Sequence, residues 1–156
     1  MGKKKRAFLY VALWMLVIFF FSAQVSDESS EQSGRIVAFV LYVVRLVFGE
    51  PAAQALAGSG IELVVRKLAH FSEYAVLAVL MNRALRLNGF PADYLLSLLF
   101  SALYACTDEF HQSFVPGRSM ELRDVLIDTA GAAFGLLIVF CCRMICKRTA
   151  GKAQKE

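Results

Sequence analysis

The chain has 156 residues, a hydrophobic share of 58%, a mean hydropathy of +0.55 and a formal net charge of +4. That apolar share exceeds what a soluble domain carries, so a small integral membrane protein with a single domain over residues 1–156 is predicted. The basic residues flank apolar segments and read as topology signals, which leaves no nucleic-acid partner to invoke.

In chain order, the first apolar segment runs from Ala7 to Ala23 behind Met1-Gly2-Lys3-Lys4-Lys5-Arg6, about long enough to cross a bilayer with little tilt. It reads as an uncleaved anchor, with a signal peptide ending near Ser22-Ala23 as the alternative. Gly2 is no myristoylation site, because Arg6 stands where Ser or Thr is needed. The acidic stretch Asp27 to Glu31 reads as a solvated external loop. Ile36 to Phe48 is apolar but interrupted by Arg45, and at about 13 residues it is too short to cross unaided. A short interfacial or re-entrant helix is expected there. Three further spans follow: Leu68 to Leu85, Tyr94 to about Phe110, and Arg123 to Cys146. Asn88-Gly89-Phe90-Pro91 forms a tight turn between the first two of these.

Loop charge selects four spans over five. With four, eleven basic residues (Lys3, Lys4, Lys5, Arg6, Arg83, Arg86, Arg143, Lys147, Arg148, Lys152 and Lys155) are cytoplasmic, and six (Arg35, Arg45, Arg66, Lys67, Arg118 and Arg123) lie outside. The positive-inside rule prefers that split. A crossing by Ile36 to Phe48 would even it to eight against eight and strand Arg45 in the membrane. The expected fold is therefore all-α and polytopic, with four transmembrane helices, an interfacial element and both termini cytoplasmic. Its core covers 7–146, and 1–6 and 147–156 are charged ends that meet anionic headgroups.

Two stretches put ionisable groups where a bilayer disfavours them, which by default marks a functional site. They are Arg66-Lys67-Leu68-Ala69-His70-Phe71-Ser72-Glu73-Tyr74, and Asp108 through Arg118 with Asp124 and Asp128 beyond. At a rise of about 1.5 Å per residue, His70, Glu73, Asp108, His111 and Asp128 fall in one layer roughly 3 to 10 Å below the outer interface. Angular position agrees. Arg66, Lys67, His70, Glu73 and Tyr74 occupy an arc of roughly 120°. Tyr104, Asp108 and His111 align on the next span, while Glu109 points away and serves the loop. Glu121, Asp124 and Asp128 share a face with Gly131 and Gly135, a GxxxG that lets another helix approach closely. Cys106, Cys141, Cys142 and Cys146 form no CxxC pair and read as buried or interfacial thiols. Trp14 and the phenylalanines read as packing.

Three chemistries fit this constellation. His70, Glu73, Asp108 and His111 offer two imidazoles and two carboxylates at i, i+3 spacing, the pattern by which helical bundles build metal centres, so a divalent metal is a candidate cofactor. Alternatively, His70, Glu73, Asp108, His111 and Asp124 perform acid/base or nucleophilic catalysis. Arg66, Lys67, Tyr74, Gln112, Arg118 and Asp128 would then bind substrate. Here Arg66, Lys67 and Arg118 hold a phosphate, with Arg118 presented rigidly by the Pro116-Gly117 turn. In the third reading the charges only pair with one another and lock the helices.

Lys67-Leu-Ala-His70-Phe-Ser-Glu73-Tyr74, then Tyr104-Ala-Cys-Thr-Asp108-Glu109-Phe-His111-Gln112-Ser-Phe114-Val115-Pro116-Gly117-Arg118 and Asp124 to Gly135, resemble the VanZ-like family of small bacterial membrane proteins. Phe19-Phe20-Phe21-Ser22 is similar too, and the likeness covers about residues 7 to 146. The resemblance implies a multi-pass protein of the bacterial cell membrane, in a family named for low-level resistance to teicoplanin, a lipid-tailed glycopeptide. The expected function is protection of the envelope against such lipoglycopeptides, by acting on or binding an outer-leaflet lipid or lipid-linked wall precursor. The expected partners are the bilayer, that precursor or the lipoglycopeptide. A phospholipid-modifying enzyme unrelated to resistance and a non-catalytic assembly partner are the alternatives, and an enzymatic reading would be a hydrolase or transferase on a lipid phosphate.

Overall fold

The computed structural model describes residues 2–24 and 26–153, with side chains described for 2–24 and 33–148. It consists of six helices: α1 Lys3–Ser22, α2 Ser26–Phe48, α3 Glu50–Ala57, α4 Ile61–Leu87, α5 Asp93–Gln112 and α6 Leu122–Ala153. Among the described residues there is no strand. All-α architecture is thus as expected, and each of the four apolar segments forms a helix.

Two expectations need correction. The apolar run Ile36 to Phe48 is not a separate short helix but the second half of the 23-residue α2. No proline divides that run from the polar residues before it, so one helix carries both and Asp27 to Glu31 are helical instead of looped. The side chains of that acidic stretch, and Lys152 and Lys155 at the other end, lie outside the described residues. Gly49, at φ +85°, then stops α2, and Pro51 in the first turn of α3 restarts the chain as a second short helix. Second, the four cysteines are exposed on the helix surfaces, which sets aside the buried alternative and leaves the interfacial one; they are free thiols, outside any disulfide framework.

The turn after α4 forms as its composition demands. Gly89 takes φ +77°, its N–H bonds to Arg86 O at 3.1 Å, and the Phe90 N–H reaches Leu85 O at 3.1 Å. These two bonds make a Schellman cap, and Pro91 beyond it prevents the helix from continuing.

α4 is the central element and packs against α1, α2, α5 and α6. Its contact with α6 is the closest, because a Cβ built on Gly131 would overlap the Phe71 carbonyl, and one on Gly135 the Ala75 carbonyl. Substituting either glycine would drive the two backbones apart. The GxxxG reading is borne out, and the partner is α4. The apolar core beneath joins Val11 and Ile18 of α1 to Leu77 and Met81 of α4. At the end remote from the polar layer, Arg143 of α6 donates to Asn82 Oδ1 at 2.6 Å and to Tyr94 Oη at 2.7 Å, clamping α4, α5 and α6.

Beside this apolar core, the bundle differs from a soluble one in what it exposes and in the polar groups it buries. Phe20, Leu103, Leu137 and Phe140 are exposed, whereas Asn82, Ser97, Ser101, Asp108, Glu109 and Asp128 are buried. A water-soluble surface does not carry apolar groups of this size so densely. Two helices, Lys3–Ser22 and Leu122–Arg148, are long and apolar enough to cross a membrane. α4 and α5 have span length, at 27 and 20 residues, but contain the ionisable residues of the polar layer. Those residues lower the mean hydropathy of the helices that hold them.

Candidate functional site

The polar layer forms where α1 and α5 end and α4 and α6 begin. On α4, His70 and Glu73 lie one turn apart on the face toward α1 and α2, with Nδ1 of His70 3.9 Å from Oε2 of Glu73. Trp14 of α1 fixes that turn by donating its indole N–H to the Glu73 carbonyl at 2.9 Å. Tyr104 of α5 does likewise toward α1, donating to the Met15 carbonyl at 2.7 Å. Trp14 therefore has a hydrogen-bonding role in addition to packing.

His70, Asp108 and Asp128, from three different helices, converge so that one ligand atom of each lies within 4.8 Å of the other two. Asp108 and Asp128 are 3% and 1% exposed. Gln112 donates to Oδ2 of Asp108 at 3.3 Å, and Ser22, fully buried at the end of α1, faces the same carboxylate. Neither oxygen of Asp128 has a hydrogen-bond partner among the described residues. On the same face one turn earlier, Asp124 takes the Lys67 ammonium on both its oxygens.

Of the four metal candidates expected from spacing, His70 and Asp108 are brought together and Glu73 stands beside His70. His111 is turned away. Three residues on from Asp108 is about 60° round the helix, enough to direct its ring to Phe19 of α1, 4.6 Å away between centroids. Asp128, expected as a substrate contact, takes the place in the cluster. Tyr74, also expected to bind substrate, is fully buried below it, 6.2 Å from the Tyr104 ring, with its hydroxyl unpartnered. It borders neither cavity described next.

Two cavities flank the cluster. One of about 230 Å³ lies between α1, α2 and α4 and is lined by Phe21, Ile36, Val65, Arg66, His70, Glu73 and Arg118 among others. A second, of about 140 Å³, is bordered by Arg66, Lys67, His70, Gln112, Arg118 and Asp124. Arg66, His70 and Arg118 belong to both.

Arg118 is placed by a turn. Its N–H bonds to Val115 O at 3.1 Å across Pro116-Gly117, and Gly117 takes φ +78°, the geometry of a type II turn. The expected rigid presentation is borne out. Its guanidinium is half-buried yet makes no hydrogen bond or ion pair among the described residues. Burial and then the neighbouring Arg66 charge pull its pKa below the usual value. An anion beside it would act in the opposite sense. Glu109, expected to serve the loop, does so: it is 1% exposed, and its Oε2 accepts the Glu121 N–H at 3.0 Å, tying the end of that loop to α5. Its depth of burial was not legible from its angle on the helix. Ser22 was likewise missed as a neighbour of Asp108, although Phe-Phe-Phe-Ser is the point where an apolar helix turns polar.

An exterior of lipid-like polarity around a buried ionisable layer points to a membrane protein with an internal polar site. The VanZ/LLP1 family model matches residues 7–144, and the chain belongs to that family. No curated protein and no solved structure matches the chain.

Proposed function

We propose that α1, α4, α5 and α6 cross the bacterial cell membrane, with both termini cytoplasmic and α2 and α3 at the outer interface. Helices of 20 residues or more meet the thickness requirement, and the loop charges favour this orientation. The polar layer then opens outward, and its ligand is a phosphate-bearing amphiphile of the outer leaflet, including a lipid-linked wall precursor. Binding or altering that ligand protects the envelope against teicoplanin-like lipoglycopeptides.

The observation that carries this reading is the Arg118 guanidinium, unpaired among the described residues, in a cavity also lined by Phe21, Ile36 and Val65. An anionic head suits the first and an acyl or isoprenyl chain the second. A guanidinium keeps its charge and matches phosphate geometry, so its burial without a partner makes sense once an anion is present. His70 and Glu73 line the same cavity, which supports a catalytic version of this reading with His70, Glu73, Asp108, His111 and Asp124 as acid/base candidates and Arg66, Lys67 and Gln112 assisting Arg118.

The test is teicoplanin susceptibility of cells relying on Arg118→Ala, with protein level followed by immunoblot. Loss of protection at wild-type abundance is expected. Full protection without the guanidinium would withdraw the phosphate reading.

A further inference from the structure

We infer that His70, Asp108 and Asp128 form a binding site for one divalent transition cation, held between α4, α5 and α6. The inference stands on these three side chains and does not depend on what the adjoining cavities bind.

Three observations support it. The ligand set has one imidazole nitrogen and two carboxylate oxygens, which suits Zn²⁺, Mn²⁺ or Fe²⁺. Atoms about 2.1 Å from a shared ion stand ~3.4 Å apart. The three ligand atoms lie within 4.8 Å of one another, so they need draw in by no more than about 1.4 Å to share an ion. A fourth position remains for water or for a ligand oxygen.

Second, Asp128 is 1% exposed and both of its oxygens lack a hydrogen-bond partner. It cannot swing outward to find one. Its helix is held against α4 above by the Lys67 to Asp124 pair and below by Gly131 against Phe71. A carboxylate fixed in this way needs a partner brought in from outside.

Third, charge in the layer does not balance. Glu73, Asp108, Glu109, Asp124 and Asp128 are buried or half-buried acids, and Arg66, Lys67 and Arg118 are the half-buried bases facing them. With every one of these acids ionised, five negative against three positive charges leave a deficit of two. A divalent cation closes that deficit, whereas leaving it open in low dielectric is costly.

The experiment uses the purified full-length protein in lipid nanodiscs, stripped with chelator and then dialysed against Zn²⁺ or Mn²⁺. About one equivalent should be retained, and the Mn²⁺ form should show electron-spin-echo modulation from a directly bound imidazole nitrogen. Asp128→Asn should lower affinity at least tenfold, and His70→Gln should remove the nitrogen signal. Thermal unfolding supplies an independent readout. Without metal, Asp128→Asn should melt at or above wild type, because it removes a buried acid that has no partner. With metal, wild type should melt higher. Retention of less than a tenth of an equivalent by wild type would overturn the site, as would unchanged binding in Asp128→Asn and His70→Gln. Arg118→Ala should still retain about one equivalent of metal, so loss of ligand capture at Arg118 and loss of the cation are separable.

Discussion

The Lys67 ammonium is held by both oxygens of Asp124, and this contact pins the first turn of α6 to α4 directly above His70. The half-buried Arg118 guanidinium, only a few residues before Asp124 in sequence, has no such partner. The layer thus contains both a lock and an uncommitted cation. A lock tolerates exchange of its two members, because the pair is defined by complementarity. A group waiting for a ligand does not.

Charge exchange should therefore separate the two. Lys67→Glu places two acids together and should reduce membrane abundance, while Lys67→Glu with Asp124→Lys should restore it to near wild type. Immunoblotting of membrane fractions reads the result. A double variant no more abundant than the single one would show that the pair is not a simple lock.

The remaining site residues should behave differently. His70→Ala and Asp108→Asn are expected to abolish protection against teicoplanin at near-normal abundance. Asn preserves the shape and most hydrogen bonding of Asp while deleting its charge. Susceptibility and protein level must be measured together, because protection lost in strict proportion to protein would assign these residues to folding.

Close approach of α4 and α6 sets a steric test. Gly131→Ala drives a methyl group into the Phe71 carbonyl. Backbone displacement of this kind costs about 1–3 kcal/mol, so a lowered unfolding temperature in detergent is expected. Ala133→Leu, on an exposed face of the same helix, should leave it unchanged. Equal effects from both substitutions would argue against the close packing.

At the opposite end, Arg143→Ala removes donors from Asn82 and Tyr94 together with a cation–π contact 4.9 Å from the Tyr94 centroid. Hydrogen bonds to a charged group contribute roughly 1.5–3 kcal/mol each, so marked destabilisation should accompany unaltered ligand specificity. Denaturation in mild detergent, set beside resistance per unit of folded protein, checks both halves of this expectation.

Orientation is tested by fusion. An alkaline phosphatase reporter after Gly60 should be active and one after Asn88 inactive. Activity at Asn88 would place the polar layer on the cytoplasmic side and remove its access to an outer-leaflet ligand.

Much of this was legible in the sequence, because helix periodicity is local. The face shared by Arg66, Lys67, His70, Glu73 and Tyr74, the turn at Asn88-Gly89 and the approach face at Gly131 and Gly135 depend only on residues a few positions apart. The Pro116-Gly117 turn that presents Arg118 is local in the same sense. What required the tertiary structure was the pairing of faces. Spacing alone put His111 beside Asp108, but rotation of α5 against α1 gave His111 to Phe19 and left Asp108 facing Asp128 on α6. The choice of Asp124 as the partner of Lys67 also depended on the relative height of two helices, which their backbones' closest approach at Gly131 sets. The length of α2 depended on polar residues continuing a helix that hydropathy alone would have ended at Ile36. Period and turn chemistry are properties of one segment, whereas partner choice is decided by the packing of several at once.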